Sequence, residues 1–411
     1  MRQGMRRWLL LAMAALAFAM ACPAGGQAAD QSEMPASSQT YRAIWFAFYD
    51  YDAFLERYSE NTEENFKEFF DEVLDNCKEK GFNRILVHVR PAADAVYASA
   101  YYPMSARIAG KQGAPITYDP LKVMVAEAHG KGMAIEAWLN PYRVASSTDY
   151  KELAKNNPAR RWHESQSASE QRNVLEYDGR LYFNPSKPEV RELIINGAKE
   201  IVRNYDVDGI HLDDYFYPSF TMEDYRDVFD AEEYNHSVEK EQGMSIQDYR
   251  REQVNLLVFG LHAAVKNIRP EATFGISPAG NIDNLTSERQ YYVDIEKWCS
   301  STEYVDYITP QIYWGFHHTF AKYDKVLDRW SSIVDQSKVK LYIGLPAYRM
   351  GKDTGSNPEE KREFKEADTL KKMIKYAYKK KVDGFAVFDY QDIVREDAQK
   401  QVKAMAKAWK K

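Results

Sequence analysis

Asp208-Gly209-Ile210-His211-Leu212-Asp213-Asp214-Tyr215 reads as a buried strand that ends on two adjacent carboxylates and runs into the aromatics Tyr215, Phe216 and Tyr217. Asp is disfavoured inside strands and costly to bury unpaired, so two at a strand's carboxyl end point to a cleft where they do chemistry. A solvated loop or a helix N-cap accounts better for one Asp than for two. In barrels of alternating strands and helices, the carboxyl ends of the strands are where active sites are built.

The pattern repeats along the chain. Eight apolar, β-rich runs recur: Arg42–Phe48, Arg84–Arg90, Ala134–Asn140, Gly209–Asp213, Thr273–Ser277, Tyr307–Tyr313, Lys340–Leu345 and Gly384–Phe388. They are short, bounded by turn residues, and read as parallel strands buried on both faces. Helical spacing alternates with them. Glu64–Lys80 sets Phe66, Phe69, Phe70, Val73, Leu74 and Cys77 on one stripe, and Gly81 stops it. Ser186-Lys187-Pro188-Glu189 has capping-box form and opens a helix with Val190, Leu193, Ile194, Ile201 and Val202 inward. Further helices are predicted over 120–131, 250–268, 288–299, 320–335, 366–380 and 394–410. This alternation is that of a closed (β/α)8 TIM barrel in the α/β class. An open doubly wound sheet competes, but no glycine-rich phosphate loop follows the first strand. Two connections are long, 141–183 after the third strand and 214–248 after the fourth, and in a barrel both lie on the catalytic face. The second is acidic and aromatic, suited equally to a substrate wall or a solvated subdomain.

Arg2, Arg6 and Arg7 precede an apolar run from Trp8 to Ala21, too short to span a bilayer and suited to a signal-peptide core. Residues 1–29 therefore read as a signal peptide, 30–40 as a linker and 41–411 as the barrel. Cleavage after Ala21 would leave Cys22 as a lipid-bearing first residue, whereas cleavage after Gln27-Ala28-Ala29 would not. Export to the periplasm, the outer membrane as a lipoprotein, or the cell surface is expected, with membrane contact only through Cys22. Cys77 and Cys299 fall in helical patterns and read as buried free thiols. The formal net charge is −6, and loss of the leader removes arginines but no acid. An acidic chain rich in Tyr and Trp is a poor nucleic-acid binder and suits neutral or weakly charged polymers, though core packing claims many of the rings. A monomer is expected.

The predicted strand ends gather amides, aromatics and carboxylates at one face. Strand two supplies His88, Arg90 and, beyond it, Asp94; strand three Trp138, Asn140 and Tyr142; strand four His211, Asp213, Asp214 and Tyr215. Strand five gives Asn281, strand six Gln311, Tyr313 and Trp314, and strand eight Asp389. That inventory fits a carbohydrate site: partners for hydroxyls, platforms for sugar faces and a carboxylate pair. His88 and His211 fit hydrogen-bonded members of the barrel floor better than metal ligands, and no His-Glu-x-x-His or Cys/His cluster exists. No Gly-x-Ser-x-Gly elbow appears, and no metal or cofactor is required.

Seven segments in order resemble one family: Arg42–Phe46, Val87–Pro91, Ala137–Arg143, Val207–Tyr215, Gly275–Gly280, Ile308–Trp314 and Leu341–Gly344. They are similar to the glycosyl hydrolase-like family 10 group of exported bacterial proteins, which includes a divisome-localised glycosidase of peptidoglycan strands stripped of stem peptides. The resemblance implies a (β/α)8 glycosidase fold, an envelope location and a cell-wall glycan substrate. Two departures stand out. Arg90-Pro91-Ala92-Ala93-Asp94 replaces a Lys-Pro-Asp-Gly pattern, and Phe388-Asp389-Tyr390 replaces Arg-Glu-Asp-Tyr. A looser similarity to chitinase-like barrels covers Asp208–Asp213 and Gln311–Tyr313, but Tyr215 stands where those enzymes carry their catalytic Glu. The expected chemistry is glycosidic hydrolysis by two carboxyl groups. Alternation with His211 turns Asp213 inward as nucleophile or charge stabiliser, leaving Asp214 at the rim as the acid, with Asp94 and Asp389 as alternative acids. The rival reading is a glycan-binding barrel without turnover.

Overall fold

The computed structural model describes residues 40–409. The predicted leader 1–29, Cys22 and nearly all of the 30–40 linker lie outside the described residues. Eight parallel strands close on themselves: β1 (Tyr41–Phe46), β2 (Arg84–Arg90), β3 (Ala134–Leu139), β4 (Gly209–Leu212), β5 (Thr273–Ile276), β6 (Tyr307–Ile308), β7 (Lys340–Pro346) and β8 (Gly384–Phe388). Each pairs with its sequence neighbours, and β8 returns to β1 through Tyr41 opposite Gly384. This is a TIM barrel.

Register is held at the amino ends by a repeated device. Asn83, Asp208, Asp306 and Asp383 immediately precede β2, β4, β6 and β8. Their side chains accept the backbone N–H of Arg42, Ile135, Phe274 and Leu341 at 3.0, 2.7, 2.8 and 3.1 Å. Each clamp thus ties the start of an even strand to the odd strand before it. A one-residue slip would leave a strand N–H without its acceptor and turn every side chain to the other face.

The helices form an outer layer where the spacing placed them, with informative exceptions. Glu63–Glu79 buries the predicted stripe, is capped by Thr62 Oγ1 and ends at Gly81 with φ 87°. Pro188–Asn204 forms without the expected capping box: Ser186 donates instead to Asp230, and Leu193 is only partly buried. The predicted helix 288–299 shrinks to Ile295–Cys299, with a separate turn at Ile282–Leu285. Tyr291 and Tyr292 take left-handed φ of 60° and 53°. Burial of the Tyr292 ring against Tyr217 (5.0 Å between centroids) outweighs helix propensity there. The ladder of β6 stops before Pro310, which has no N–H, and Gln311 then bridges Ala279 and Gly344. Cys77 and Cys299 are buried and free.

The long connections are folded. The one after β3 holds a three-stranded antiparallel sheet (Arg143–Ala145, Arg180–Phe183 and Val174–Tyr177, in that spatial order). The one after β4 packs Phe216, Tyr217, Phe220 and Tyr225 into the core around a fully buried ion pair, Asp230–Arg250 at 2.7 Å. Asp230 also accepts from Ser186 and Tyr217, both at 2.7 Å. The segment is thus packed against the barrel rather than solvated throughout.

Candidate active site

The barrel interior is polar at its base. Glu136, fully buried, pairs with Arg84 at 2.8 Å and accepts from the Tyr307 hydroxyl at 2.5 Å. His211 lies 2.8 Å from Tyr307 Oη through Nδ1, and Nε2 accepts from Trp45 Nε1 at 3.1 Å. Indole can only donate, so Nε2 is unprotonated and Nδ1–H points at Tyr307, whose own proton goes to Glu136. Burial holds His211 far down, at about 3, and it stays neutral. With both nitrogens engaged, His211 is a floor residue and has nothing to offer a sugar.

Above it, Asp213 and Asp214 leave the end of β4. Alternation does turn Asp213 inward, but it is sealed: 3 % exposed, with one carboxylate oxygen accepting from Trp138 Nε1 at 3.2 Å and the other from the Tyr215 amide at 3.2 Å. The groove expected in front of Asp213 is therefore closed by its own partners, and Asp214 takes the more open position. Burial first, then repulsion from Asp214, pushes Asp213 up to about 8 despite Arg143 nearby. Burial pushes Asp214 up to about 6 against a hydrogen bond from Gln311, whose amide also donates to the Ser277 carbonyl at 2.9 Å. Two carboxyls so close cannot both ionise easily, and the pair holds a single proton around neutral pH.

The neighbours are aromatic. Tyr215 is half exposed, and the Arg143 guanidinium carbon lies 4.0 Å from its ring centroid. Trp138 stacks on His88 at 3.7 Å, and burial together with Arg143 keeps His88 neutral. Asn140, fully buried, donates to the Pro91 carbonyl at 3.2 Å beside His88. Tyr313 packs 5.8 Å from Tyr348 and 6.0 Å from Phe388, within electrostatic reach of both Asp214 and Asp389. Trp314 lies over Gly280, where a Cβ would approach its ring to 2.9 Å. Asp389 accepts from the Tyr49 hydroxyl. Burial, reinforced by Asp392, raises its carboxyl to about 7.

Several expected site residues are elsewhere. A one-residue bulge after His88 pairs Arg90 with Leu139, so Arg90 turns outward over the Tyr102 ring at 5.0 Å. Asp94 follows it, bonded to Gln112 at 3.4 Å and to Ser105, away from the Asp213 neighbourhood. Tyr142 is buried in the core near Asp230 and Arg191, and Arg143 faces the acids in its place. Asn281 caps Ile282–Leu285 by accepting from the Asp283 amide at 3.0 Å. Arg143, Tyr291 and Tyr49 were missed. Past Pro141 the strand period no longer tells which of Tyr142 and Arg143 points inward, and Tyr291 reaches Asp214 only through its left-handed turn. Among the described residues no group of His, Cys, Asp and Glu is arranged to hold a metal ion. Cavities of about 610 and 210 Å³ open beside Glu363 and beside Trp162, neither lined by the Asp pair.

A closed parallel barrel with a carboxyl pair of raised proton affinity and the half-exposed Tyr215 ring at its carboxyl-end face is a TIM barrel with its acids where such barrels build their active sites. The chain belongs to the Glycosyl hydrolase-like 10 family, whose model matches residues 40–361. It is 34% identical over 342 residues to glycosyl hydrolase YngK of Bacillus subtilis, covering 79% of this chain and 64% of that protein. It is 32% identical over 304 residues to glycosyl hydrolase DigH of Escherichia coli K12, covering 70% and 67%. Among solved structures, an alpha-L-fucosidase isoenzyme 2 from Paenibacillus thiaminolyticus superposes with TM-score 0.54 at 14% identity, over 90% of this chain and 49% of that one. The beta-amylase catalytic domain of Paenibacillus polymyxa gives 0.54 at 11%, over 90% and 98%. At such identities the likeness is one of fold.

Proposed function

We propose that this chain hydrolyses glycosidic bonds in a bacterial cell-wall or related polysaccharide, with peptidoglycan glycan strands as the foremost substrate. The supporting observation is the adjacent pair Asp213–Asp214 at the end of β4, sharing one proton next to an exposed aromatic platform. Asp213 has the higher proton affinity at rest, and in the tautomer that reacts the shared proton sits on Asp214, the more open of the two, which delivers it to the glycosidic oxygen. Asp213, held by Trp138 and the Tyr215 amide, supplies the compensating charge behind it. A sealed Asp213 is unsuited to attack on the sugar, so its role is electrostatic. Asp389, at the end of β8, is the carboxyl available for the second role of a two-carboxylate mechanism. The apolar leader and Cys22 support action outside the cytoplasm, with any membrane contact confined to a lipid on that cysteine.

The test is product analysis by mass spectrometry after incubation with denuded glycan strands. Shorter products are expected from the wild type, with kcat/KM falling on both sides of about pH 6–8, and a loss of at least about 100-fold in Asp214→Asn. The sealed Asp213, together with Tyr215 at the catalytic-Glu position of chitinase-like barrels, favours a second reading: a glycan-binding barrel without turnover. Retention of intact strands with no shortening would establish that reading and overturn the first.

A further inference from the structure

Arg143 opens the small antiparallel sheet, where its backbone is fixed opposite Tyr182. Its guanidinium lies flat enough on Tyr215 to bring Cζ within 4.0 Å of the ring centroid. Stacking of this kind uses the guanidinium's face and leaves its N–H edge for an acceptor. Asp213, Asp214 and His88 are near enough to feel its charge, and Tyr215 carries it.

The notable property of Arg143 is what it lacks. Three arginines on the connections around the rim sit on carboxylates: Arg250 on Asp230 at 2.7 Å, Arg349 on Glu360 at 2.9 Å and Arg172 on Glu233 at 2.6 Å. Arg161, Arg180, Arg226 and Arg289 make no ion pair among the described residues and, unlike Arg143, do not face the acid pair. Arg143 makes no ion pair among the described residues, although two carboxyls are near enough to feel it. An arginine present only to neutralise the acid pair would close onto one of them. Here the cation is kept back on the half-exposed Tyr215, hydrogen-bonded to that side chain, and its remaining N–H groups meet no carboxylate among the described residues.

We propose that Arg143 is a specificity-determining residue, receiving a carboxylate borne by the sugar that lies on Tyr215, so that the cleft selects an anionic glycan over a neutral one. This rests on the glycosidase reading above and narrows its substrate class. The chain as a whole is acidic, and an anionic polymer meets general repulsion unless a local cation reverses it. Arg–carboxylate recognition is planar and bidentate, which gives orientation along the cleft as well as attraction.

The experiment compares oligosaccharides carrying free carboxylates with the same oligosaccharides after conversion of those groups to primary amides. One series carries the carboxylate at ring C6 and another on an ether-linked arm, and the series showing selectivity identifies the carrier. Wild type is expected to show a KM about ten-fold lower for the acid form, reduced by added salt. Arg143→Gln is expected to bring the ratio close to one, and Arg143→Lys to retain part of it. Binding to Asp214→Asn, measured by calorimetry, should show the same ratio without turnover. Equal handling of acid and amide by wild type, or a ratio that survives in Arg143→Gln, overturns this inference alone. Failure of every glycan to bind or be cut overturns the hydrolase reading and this inference together.

Discussion

A carboxyl group that is hard to ionise weakens the fold that contains it, and Asp214 illustrates the sign. Its folded value is pushed up to about 6, above the unfolded carboxyl range. The folded state therefore binds more protons than the unfolded chain between about pH 4 and pH 6, and stability falls as pH rises through that window. Asp214→Asn removes the ionisation and relieves Asp213 of its neighbour's charge. Its stability relative to wild type should climb from pH 4 to pH 6 through the loss of the Asp214 ionisation and further towards pH 8 through the relief of Asp213, read as thermal midpoints at pH 4, 6 and 8. A gap that does not change with pH would refute this account. The pair itself was legible in the sequence because two adjacent carboxylates at a strand end have few structural uses. Which of them is sealed was not: that depends on the indole of Trp138 and the amide of Tyr215, and neither hydrogen bond leaves a trace in spacing. His211 was assigned both to the floor and to the substrate, and its two hydrogen bonds decide for the floor.

Strands and their boundaries carried the clearest sequence signal, since a parallel strand buried on both faces is apolar throughout. All eight runs become barrel strands, most within a few residues of the expected ends. What spacing does not reveal is a bulge. One extra residue between His88 and Arg90 turns Arg90 onto the Tyr102 ring, and Asp94 beyond it bonds to Gln112, so two residues read as site members from the end of strand two lie elsewhere. The Asn/Asp clamps at the strand starts were equally hidden, because an Asp before a strand also reads as an ordinary turn residue. Asp208 tests them. Burial acts to raise its carboxyl, but the hydrogen bonds from His129 and the Ile135 amide outweigh it, and the net shift is downward. A depressed carboxyl contributes stability that is fully present above the unfolded value, about 3.9, and is lost as pH falls through the folded value. Asp208→Ala should cost about 1–3 kcal/mol in urea at pH 7. The difference from wild type should shrink below about pH 4. A loss that is undiminished at pH 3 would mean the aspartate acts through something other than its charge.

The connections after β3 and β4 stand on the catalytic face, and their order comes from one hub. Asp230 holds Arg250, Ser186 and Tyr217, while Arg250 reaches back to the Tyr225 and Val228 carbonyls and covers Phe220 at 4.5 Å. Removing the carboxylate leaves an uncompensated guanidinium with no access to water. Asp230→Ala should therefore cost about 3–5 kcal/mol. Limited proteolysis should cut between residues 214 and 245 before the barrel is attacked. Protection of that segment equal to wild type would show that the aromatic packing alone suffices. At the opposite end of the molecule the four Asn/Asp clamps act like a hoop around the base of a cask. They fix how the staves line up without reference to anything at the mouth. Insertions, exchanges and point changes around Asp214 can then accumulate while the stagger of the wall stays put, and a lineage of such proteins is free to change what it cuts without having to learn again how to fold.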